Sequence, residues 1–192
     1  MTATQKYEEL NAEVQKYFDL ATVQGRYVEF DDFREDWAQL GWYSRWEFEE
    51  KATNFYLTAH FKWSSAYRQA DISGCGFAFA IQDNGDHYAM FLDKSKVLFV
   101  KTDKYYYPIG PVHGTGRVSF GNPFDKPNEA DVTLVVKGTQ AYVLVDGETV
   151  GEYALAKSSN LHGVLGYTLL SGTNKGYGTR CEITNTHGWI EK

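Results

Sequence analysis

The sequence predicts an all-β fold, and three observations support that prediction. The segment from Val132 to Leu155, VTLVVKGTQAYVLVDGETVGEYAL, alternates apolar and polar residues with the period of a β-strand. Lys137-Gly138 and Asp146-Gly147 interrupt the alternation as two-residue turns, so the segment predicts three short antiparallel strands. From Tyr27 onward, turn signals recur about every 8–12 residues and no helical segment separates the strands. The pattern predicts an antiparallel sandwich, jelly roll or barrel rather than an α/β fold.

The N-terminal segment has a different period. From Gln5 to about Leu20 the apolar residues are spaced by three and four, which predicts an amphipathic helix; they are Tyr7, Leu10, Val14, Tyr17 and Phe18. Thr4 is the expected N-cap, and Gly25 marks a break. We therefore divide the chain into a helix and linker, residues 1–25, and a β-sandwich domain, residues 26–192. The helix either lies on the edge of the sandwich or ends a stalk or oligomer contact that attaches the domain to a larger chain.

The remaining segments are assigned in chain order. Strands are predicted at YVEF, WYSRWEFEEK and FYLTAHFKW, with the segment DDFREDWAQLG read as turn-rich. In FYLTAHFKW, one face carries Phe55, Leu57, Ala59, Phe61 and Trp63. SSAYRQADISG reads as a loop, and CGFAFAIQ and HYAMFL flank an Asp83-Asn84-Gly85-Asp86 hairpin turn. VLFV completes a further hairpin, and GVLGYTLLSGT and YGTRCEITNT are the last two predicted strands.

Composition excludes several classes of function. The 192 residues carry a net charge of −6 and their lysines and arginines are scattered, so we expect no nucleic-acid partner. No apolar run approaches the roughly 18 residues of a membrane helix. Residues 1–20 are polar and amphipathic, which is not the pattern of a signal peptide.

The strand segments in this order resemble the concanavalin A-like lectin/glucanase jelly roll. The resemblance covers about residues 27–190 and is closest in pattern to laminin-G-like and 3-keto-disaccharide hydrolase-like domains of bacterial surface proteins. Its most specific part is the block of three strands joined by Lys-Gly and Asp-Gly turns. It implies a two-sheet antiparallel jelly-roll sandwich with a short N-terminal helix, a carbohydrate or glycan ligand, and an extracellular or cell-surface location.

A catalytic role needs carboxylates that the strands do not supply in the usual pattern. Retaining glycosidases that share this resemblance place three acidic residues on one strand face, two of them about 5–5.5 Å apart. Glu47-Phe48-Glu49 is followed by Lys51 at the third position of that face, and Glu29-Phe30-Asp31 is followed by Phe33. Neither motif is complete, so we expect solvent-facing carboxylates and no catalytic residue. A glycoside hydrolase with carboxylates on separate strands remains the alternative.

The sequence holds no clear metal-binding motif and only two cysteines. No two of the five histidines have zinc-site spacing, so we expect no metal site or cofactor. Asp83-Asn84-Gly85-Asp86 lacks the later ligands of a calcium loop and is read as a turn, although the laminin-G resemblance leaves calcium open. In a jelly roll the final strand returns to the middle of the sandwich, where Cys181 could meet Cys75. We expect a disulfide, with two buried thiols as the alternative.

Aromatic residues outside the core are the candidates for sugar stacking. Lys104-Tyr105-Tyr106-Tyr107-Pro108 holds three consecutive tyrosines, and successive residues of an extended segment point to opposite faces. The tyrosines therefore cannot all be buried on one side. The predicted ligand-binding residues are Tyr105, Tyr106, Tyr107, Trp42 and Trp189. The sequence favours a non-catalytic, lectin-like binding module of a surface or secreted bacterial protein; a protein–protein or structural β-sandwich is the third alternative.

Overall fold

A computed structural model describes residues 3–123, 126–157 and 159–192, with backbone only for residues 3–6. In this part of the chain, one helix precedes fourteen strands. The elements are α1 (Ala3–Val14), β1 (Gly25–Glu29), β2 (Phe33–Trp37), β3 (Trp42–Ala52), β4 (Phe55–Ser65), β5 (Gly74–Ile81), β6 (His87–Leu92), β7 (Val97–Thr102), β8 (Tyr106–Ile109), β9 (His113–Gly114), β10 (Asn128–Lys137), β11 (Gln140–Val145), β12 (Glu148–Ala154), β13 (Gly163–Ser171) and β14 (Thr179–Glu191).

The strands form two antiparallel sheets packed as a sandwich, which confirms the predicted fold class. The eight-stranded sheet has the order β1-β14-β4-β10-β11-β12-β9, with β2 also paired to β14. The six-stranded sheet has the order β3-β13-β5-β6-β7-β8. Both predicted hairpin turns of the opening block are present, since β10 pairs with β11 and β11 with β12. The alternating apolar residues of these strands point between the sheets, where their burial drives folding.

The core between the sheets contains the predicted inward face of β4. Phe55, Leu57, Ala59, Phe61 and Trp63 are all buried there. A disulfide joins Cys75 of β5 to Cys181 of β14 and so connects the two sheets through the core. Both cysteines are fully buried, and the predicted disulfide is confirmed.

The N-terminal helix is shorter than the spacing of its apolar residues predicts. It ends at Val14 and is followed by turns, in which Asp19 accepts hydrogen bonds from the backbone of Ala21 and from the Thr22 hydroxyl. Such local bonds between side chain and backbone compete with helix propagation. Phe18 is nevertheless buried, because the turn carries it back onto the sheet.

The helix and turns cover the outer face of the eight-stranded sheet. Leu10, Val14 and Phe18 pack against side chains from four strands, namely Tyr56, Val135, Leu144 and Trp189. These strands are β4, β10, β11 and β14, so the segment lies over the middle of the sheet rather than along its edge. Lys137 donates a hydrogen bond of 2.8 Å to the Tyr17 carbonyl at the same contact.

One strand lies in a segment that the sequence analysis assigns to turns. β2 occupies the centre of DDFREDWAQLG and pairs with β14 from Ile183↔Phe33 to Thr179↔Trp37. Its partner is about 150 residues away along the chain, so local sequence carries no sign of the pairing. No helix in the described residues is long and apolar enough to cross a membrane.

Candidate functional site

The six-stranded sheet carries a groove on the face that points away from the sandwich core. The strand register places alternate residues of its strands on that face, beginning with Tyr43 and Arg45 of β3. The same face receives His87 and Phe91 from β6, and Thr102 from β7. Ring contacts confirm the placement, since Tyr43 lies 5.1 Å from Phe91 and 5.7 Å from His87 between ring centroids.

The sheet is strongly curved, and the curvature makes the groove. Tyr43 and Tyr106 lie on β3 and β8, the two opposite edges of the sheet. In a flat sheet these edges would be about 24 Å apart, at about 4.8 Å per strand step. The two rings are instead 6.4 Å apart between centroids. The face is therefore concave, and its edges form the walls of the groove.

The groove has a volume of about 610 Å³, which lies within the range of ligand-binding pockets. Aromatic rings and aliphatic side chains make up its apolar surface; they are Trp42, Tyr43, Tyr106, Ile72, Leu98 and Leu170. Polar groups from four segments lie among them; they are Arg45, Asp71, His87 and Thr102. Apolar surface with a few placed polar groups is the composition of a small-molecule site.

A hydrogen-bond network fixes the polar part of the groove. The Tyr43 hydroxyl lies 2.7 Å from His87 Nε2 and 2.6 Å from the Thr102 hydroxyl. His87 Nδ1 lies 2.7 Å from the Gly85 carbonyl, which accepts a hydrogen bond and so places the proton on Nδ1. His87 Nε2 then accepts from Tyr43, whose oxygen accepts from Thr102. Three side chains from three strands are thereby held in one arrangement.

Charge in the groove is balanced. Burial lowers the pKa of His87, and the hydrogen bond to Gly85 offsets this only in part, so the imidazole is neutral at pH 7. Arg45 Nη1 lies 3.1 Å from His87 Nδ1, but it cannot donate to that nitrogen while Nδ1 carries the proton that it gives to Gly85. Arg45 Nε donates to Glu47 at 3.1 Å. The guanidinium is held at the side of the groove with its charge partly neutralised. Burial raises the pKa of Tyr43, which therefore stays protonated.

The predicted aromatic residues separate into three locations. Trp42 is 63% exposed and Tyr106 is 44% exposed, and both line the groove. Tyr105 and Tyr107 are also exposed, but they contact each other with ring centroids 6.3 Å apart and do not line the groove. The triplet thus divides between the two faces of the strand, as expected for consecutive residues in an extended segment.

Trp189 lies in the third location, away from any groove. Its side chain is only 3% exposed because the Phe18 ring covers it at 4.9 Å between centroids. Trp189, which is predicted as a binding residue, therefore packs against the N-terminal segment in this structure. Trp189 instead anchors the N-terminal segment to the sheet.

Sequence reasoning missed the polar half of the groove. Tyr43, Arg45, His87 and Thr102 come from three strands that meet only in the folded sheet. The one local signal was the alternation along β3, which places Tyr43 and Arg45 on one face of the strand.

The incomplete carboxylate motifs occupy a separate cavity of about 450 Å³. We call it the acidic cavity, and its carboxylates belong to Glu29, Asp31, Asp32, Glu47, Glu49 and Glu50. The two motifs are separated in sequence, but the fold brings them together beside the stacked rings of Phe30 and Phe48, whose centroids are 4.1 Å apart. Glu50 is paired with Arg26, and Glu47 with Arg45.

The Asp83-Asn84-Gly85-Asp86 segment forms a hairpin turn. The Gln82 amide donates to the Asp86 carbonyl, and the Gly85 amide donates to the Gln82 carbonyl, both at 2.9 Å. Gly85 has a φ of +91°, a conformation that favours glycine. Within the described residues, no group of three or more His, Cys, Asp or Glu side chains is arranged to hold a metal ion.

Comparison with known proteins identifies the fold. No family model matches the sequence, and no curated protein matches it. Among solved structures, the carbohydrate binding module CBM66 from Bacillus subtilis is similar at 12% identity, with a TM-score of 0.58 over 86% of this chain and 95% of that one. A fructosyltransferase from A. japonicus is similar at 15% identity and a TM-score of 0.54, over 100% of this chain and 28% of that one.

A third structure, the apo Crh5 transglycosylase, is similar at 10% identity and a TM-score of 0.51, over 84% of this chain and 72% of that one. At such identities the likeness establishes the fold and not the activity. The protein shares the two-sheet antiparallel sandwich fold of these structures, in agreement with the fold that its strand pattern resembles.

Proposed function

We propose that the protein is a non-catalytic, lectin-like carbohydrate-binding module, and that the groove on its six-stranded sheet is the sugar-binding site. The observation that carries the proposal is the pairing of two exposed rings, Trp42 and Tyr106, with fixed polar groups inside one concave groove. Similarity of fold to a carbohydrate binding module supports the same class of ligand.

The chemistry of the groove suits a sugar ring. A pyranose or furanose has apolar C–H faces that pack on aromatic rings, while its hydroxyl groups need hydrogen-bond partners around the edge. Trp42 and Tyr106 offer the faces, and Arg45, Asp71 and Thr102 offer polar atoms nearby. Because Arg45 is already paired with Glu47 and His87 is neutral, the groove favours an uncharged sugar over a strongly acidic one.

Binding of a single sugar unit should be weak. The groove is open to solvent on one side, and a shallow site leaves little favourable free energy after the ligand and side chains are ordered. The disulfide favours an extracellular or cell-surface location, because such bonds persist in oxidising compartments. We propose no resident cofactor and keep calcium as a variable to be tested.

The proposal is tested with a panel of cello-, xylo-, malto-, chito- and fructo-oligosaccharides, measured with calcium and with a chelator. Tyr106→Ala should weaken binding about tenfold, since it removes a ring worth about 1.4 kcal/mol from the groove. Tyr107→Ala is the matched control, because it removes the same ring, equally exposed, from the next position on the other face of β8. The control should bind like the wild type and unfold at the same urea concentration as Tyr106→Ala.

Two results would contradict the proposal. Equal loss of binding in Tyr106→Ala and Tyr107→Ala would mean that the groove is not the site. A panel without any binding, together with a tightly bound protein partner, would favour the protein–protein or structural module.

The acidic cavity supports the alternative function, a glycoside hydrolase. Carboxylates from β3 and from the segment after β1 meet there, as hydrolysis at carboxylates from separate strands would require. Release of reducing sugar from the panel, lost on Glu47→Gln or Glu49→Gln, would establish the enzyme. The amide keeps the size of the carboxylate, so a loss of activity would report on charge and proton transfer.

A further inference from the structure

Thr102 lies where a sugar stacked in the groove would present its hydroxyl groups. It is directly opposite Tyr106 in the pairing of β7 with β8, and both residues line the groove. Side chains directly opposite each other in an antiparallel pair have Cβ atoms about 4.5–5.5 Å apart. A sugar that packs on the Tyr106 ring therefore has its hydroxyl groups beside Thr102 Oγ1, at the C-terminal end of β7.

The protons of the network around Thr102 can be assigned one after another, starting from an atom that can only accept. The Gly85 carbonyl has no proton to give, so His87 Nδ1 donates to it across 2.7 Å. Burial lowers the pKa of His87 and so keeps the ring neutral, with one N–H. His87 Nε2 therefore has a free lone pair, and the single hydroxyl proton of Tyr43 goes to it across 2.7 Å.

The last hydrogen bond of the network must be donated by Thr102. Its hydroxyl lies 2.6 Å from the Tyr43 oxygen, and Tyr43 has already given its proton to His87. Within the described residues, this is the one hydrogen bond that the Thr102 hydroxyl makes. Its proton is thereby committed to the protein, and only lone pairs are left to face the groove.

We infer that Thr102 is a specificity-determining residue, which accepts a hydrogen bond from a free hydroxyl group of the ligand. A ligand that carries an ether oxygen or a fluorine at that position brings no proton to the Thr102 lone pair, and the unmade hydrogen bond weakens its binding. The inference rests on the proposed carbohydrate-binding function and adds to it the chemical group that the groove selects. Tyr43 and His87 act as positioning residues, because they set the direction of the Thr102 hydrogen bond.

The experiment uses the shortest oligosaccharide that the wild type binds, together with its monodeoxyfluoro derivatives, one for each hydroxyl group. Fluorine is close to a hydroxyl group in size but has no proton to donate. In the wild type, fluorination at one position should weaken binding about tenfold in an NMR titration, the effect of about one unmade hydrogen bond. Thr102→Val keeps the branched shape of the side chain without the acceptor, so it should reduce the loss at that position to less than about twofold.

Tyr43→Phe separates the direction of the hydrogen bond from the shape of the groove. It removes one hydroxyl group and leaves the ring, so the Thr102 proton is released and can turn towards the ligand. The loss on fluorination at the same position should then fall to about threefold or less.

The matched control is Tyr88→Phe, which makes the same change at the residue next to His87, on the core face of the same sheet. The Tyr88 hydroxyl is bonded to Ser159 and takes no part in the network. This variant should keep the full loss on fluorination, and urea unfolding of all three variants confirms that each is folded.

Three results would overturn the inference while the proposed function stands. They are a wild type that tolerates fluorine at every position, fluorination losses that are the same in Thr102→Val as in the wild type, and a tenfold loss that persists in Tyr43→Phe. Absence of binding by every oligosaccharide of the panel would overturn the proposed function as well.

Discussion

Removing the disulfide should lower the free energy of unfolding by about 4–5 kcal/mol. Cys75 and Cys181 are 106 residues apart in sequence, and closing a loop of about 100 residues stabilises a protein by about 4.7 kcal/mol on the chain-entropy model. The bond joins the two sheets, so its loss frees the unfolded chain over more than half of its length. For a protein of this size, such a loss corresponds to a fall in Tm of about 8–20 °C.

Three forms of the protein separate the crosslink from the packing of the sulfur atoms. Cys75→Ala and the double variant Cys75→Ala/Cys181→Ala should be destabilised by nearly the same amount, because either one removes the whole crosslink. Wild type that has been unfolded and reduced keeps both buried sulfurs, and so it measures the crosslink alone. Urea unfolding of each form gives the free energy, and the slope should increase in the reduced form as the unfolded chain expands.

A loss below about 1.5 kcal/mol in all three forms would refute this account of the disulfide. A double variant clearly less stable than Cys75→Ala would also contradict it, because the second substitution would then remove a packing contact in addition to the bond. When the non-reduced protein is denatured and alkylated, its intact mass should show no alkylated thiol at Cys75 or Cys181.

Two further predictions concern aromatic residues, one under the N-terminal segment and one in the core between the sheets. Phe18→Ala should lower the free energy of unfolding by about 3 kcal/mol, because the ring is buried against Trp189. Tyr7→Ala, at an exposed position of the same segment, should change it by less than about 0.5 kcal/mol. Equal effects of the two substitutions in urea unfolding would mean that the segment is not docked on the sheet. Tyr153→Phe should stabilise the protein by about 1 kcal/mol at pH 7, because the Tyr153 hydroxyl is buried without a hydrogen-bond partner in the described residues. Burial raises the pKa of Tyr153 to about 12, so the unfolded chain loses this proton first, near pH 10. The contribution of the protonated Tyr153 to the free energy of unfolding is therefore fully present below pH 10 and is lost as the pH rises towards 12. Tyr153→Phe should show a shallower fall in stability over this range. An unchanged dependence of stability on pH would contradict the assignment.

Local sequence was sufficient for the hairpins and for the faces of the strands. Turn chemistry at Asp146-Gly147 and the alternation of β10 and β4 depend on residues close together in the chain, and both appear as predicted. The opposite orientation of Tyr106 and Tyr107 follows from the same period of two. By contrast, local sequence does not predict β2, because the partner it has in the described residues, β14, lies near the other end of the chain.

The sequence by itself determined the fold class, the disulfide candidates and the exposure of the tyrosine triplet, because these depend on composition, spacing and local geometry. Only the tertiary structure decided which rings face a ligand. The Phe18 ring covers Trp189, whereas Tyr43 at one edge of the six-stranded sheet approaches Tyr106 at the other, and Trp42 lines the same groove. Curvature and the covering of one segment by another arise from contacts between distant residues, and no single stretch of sequence carries them.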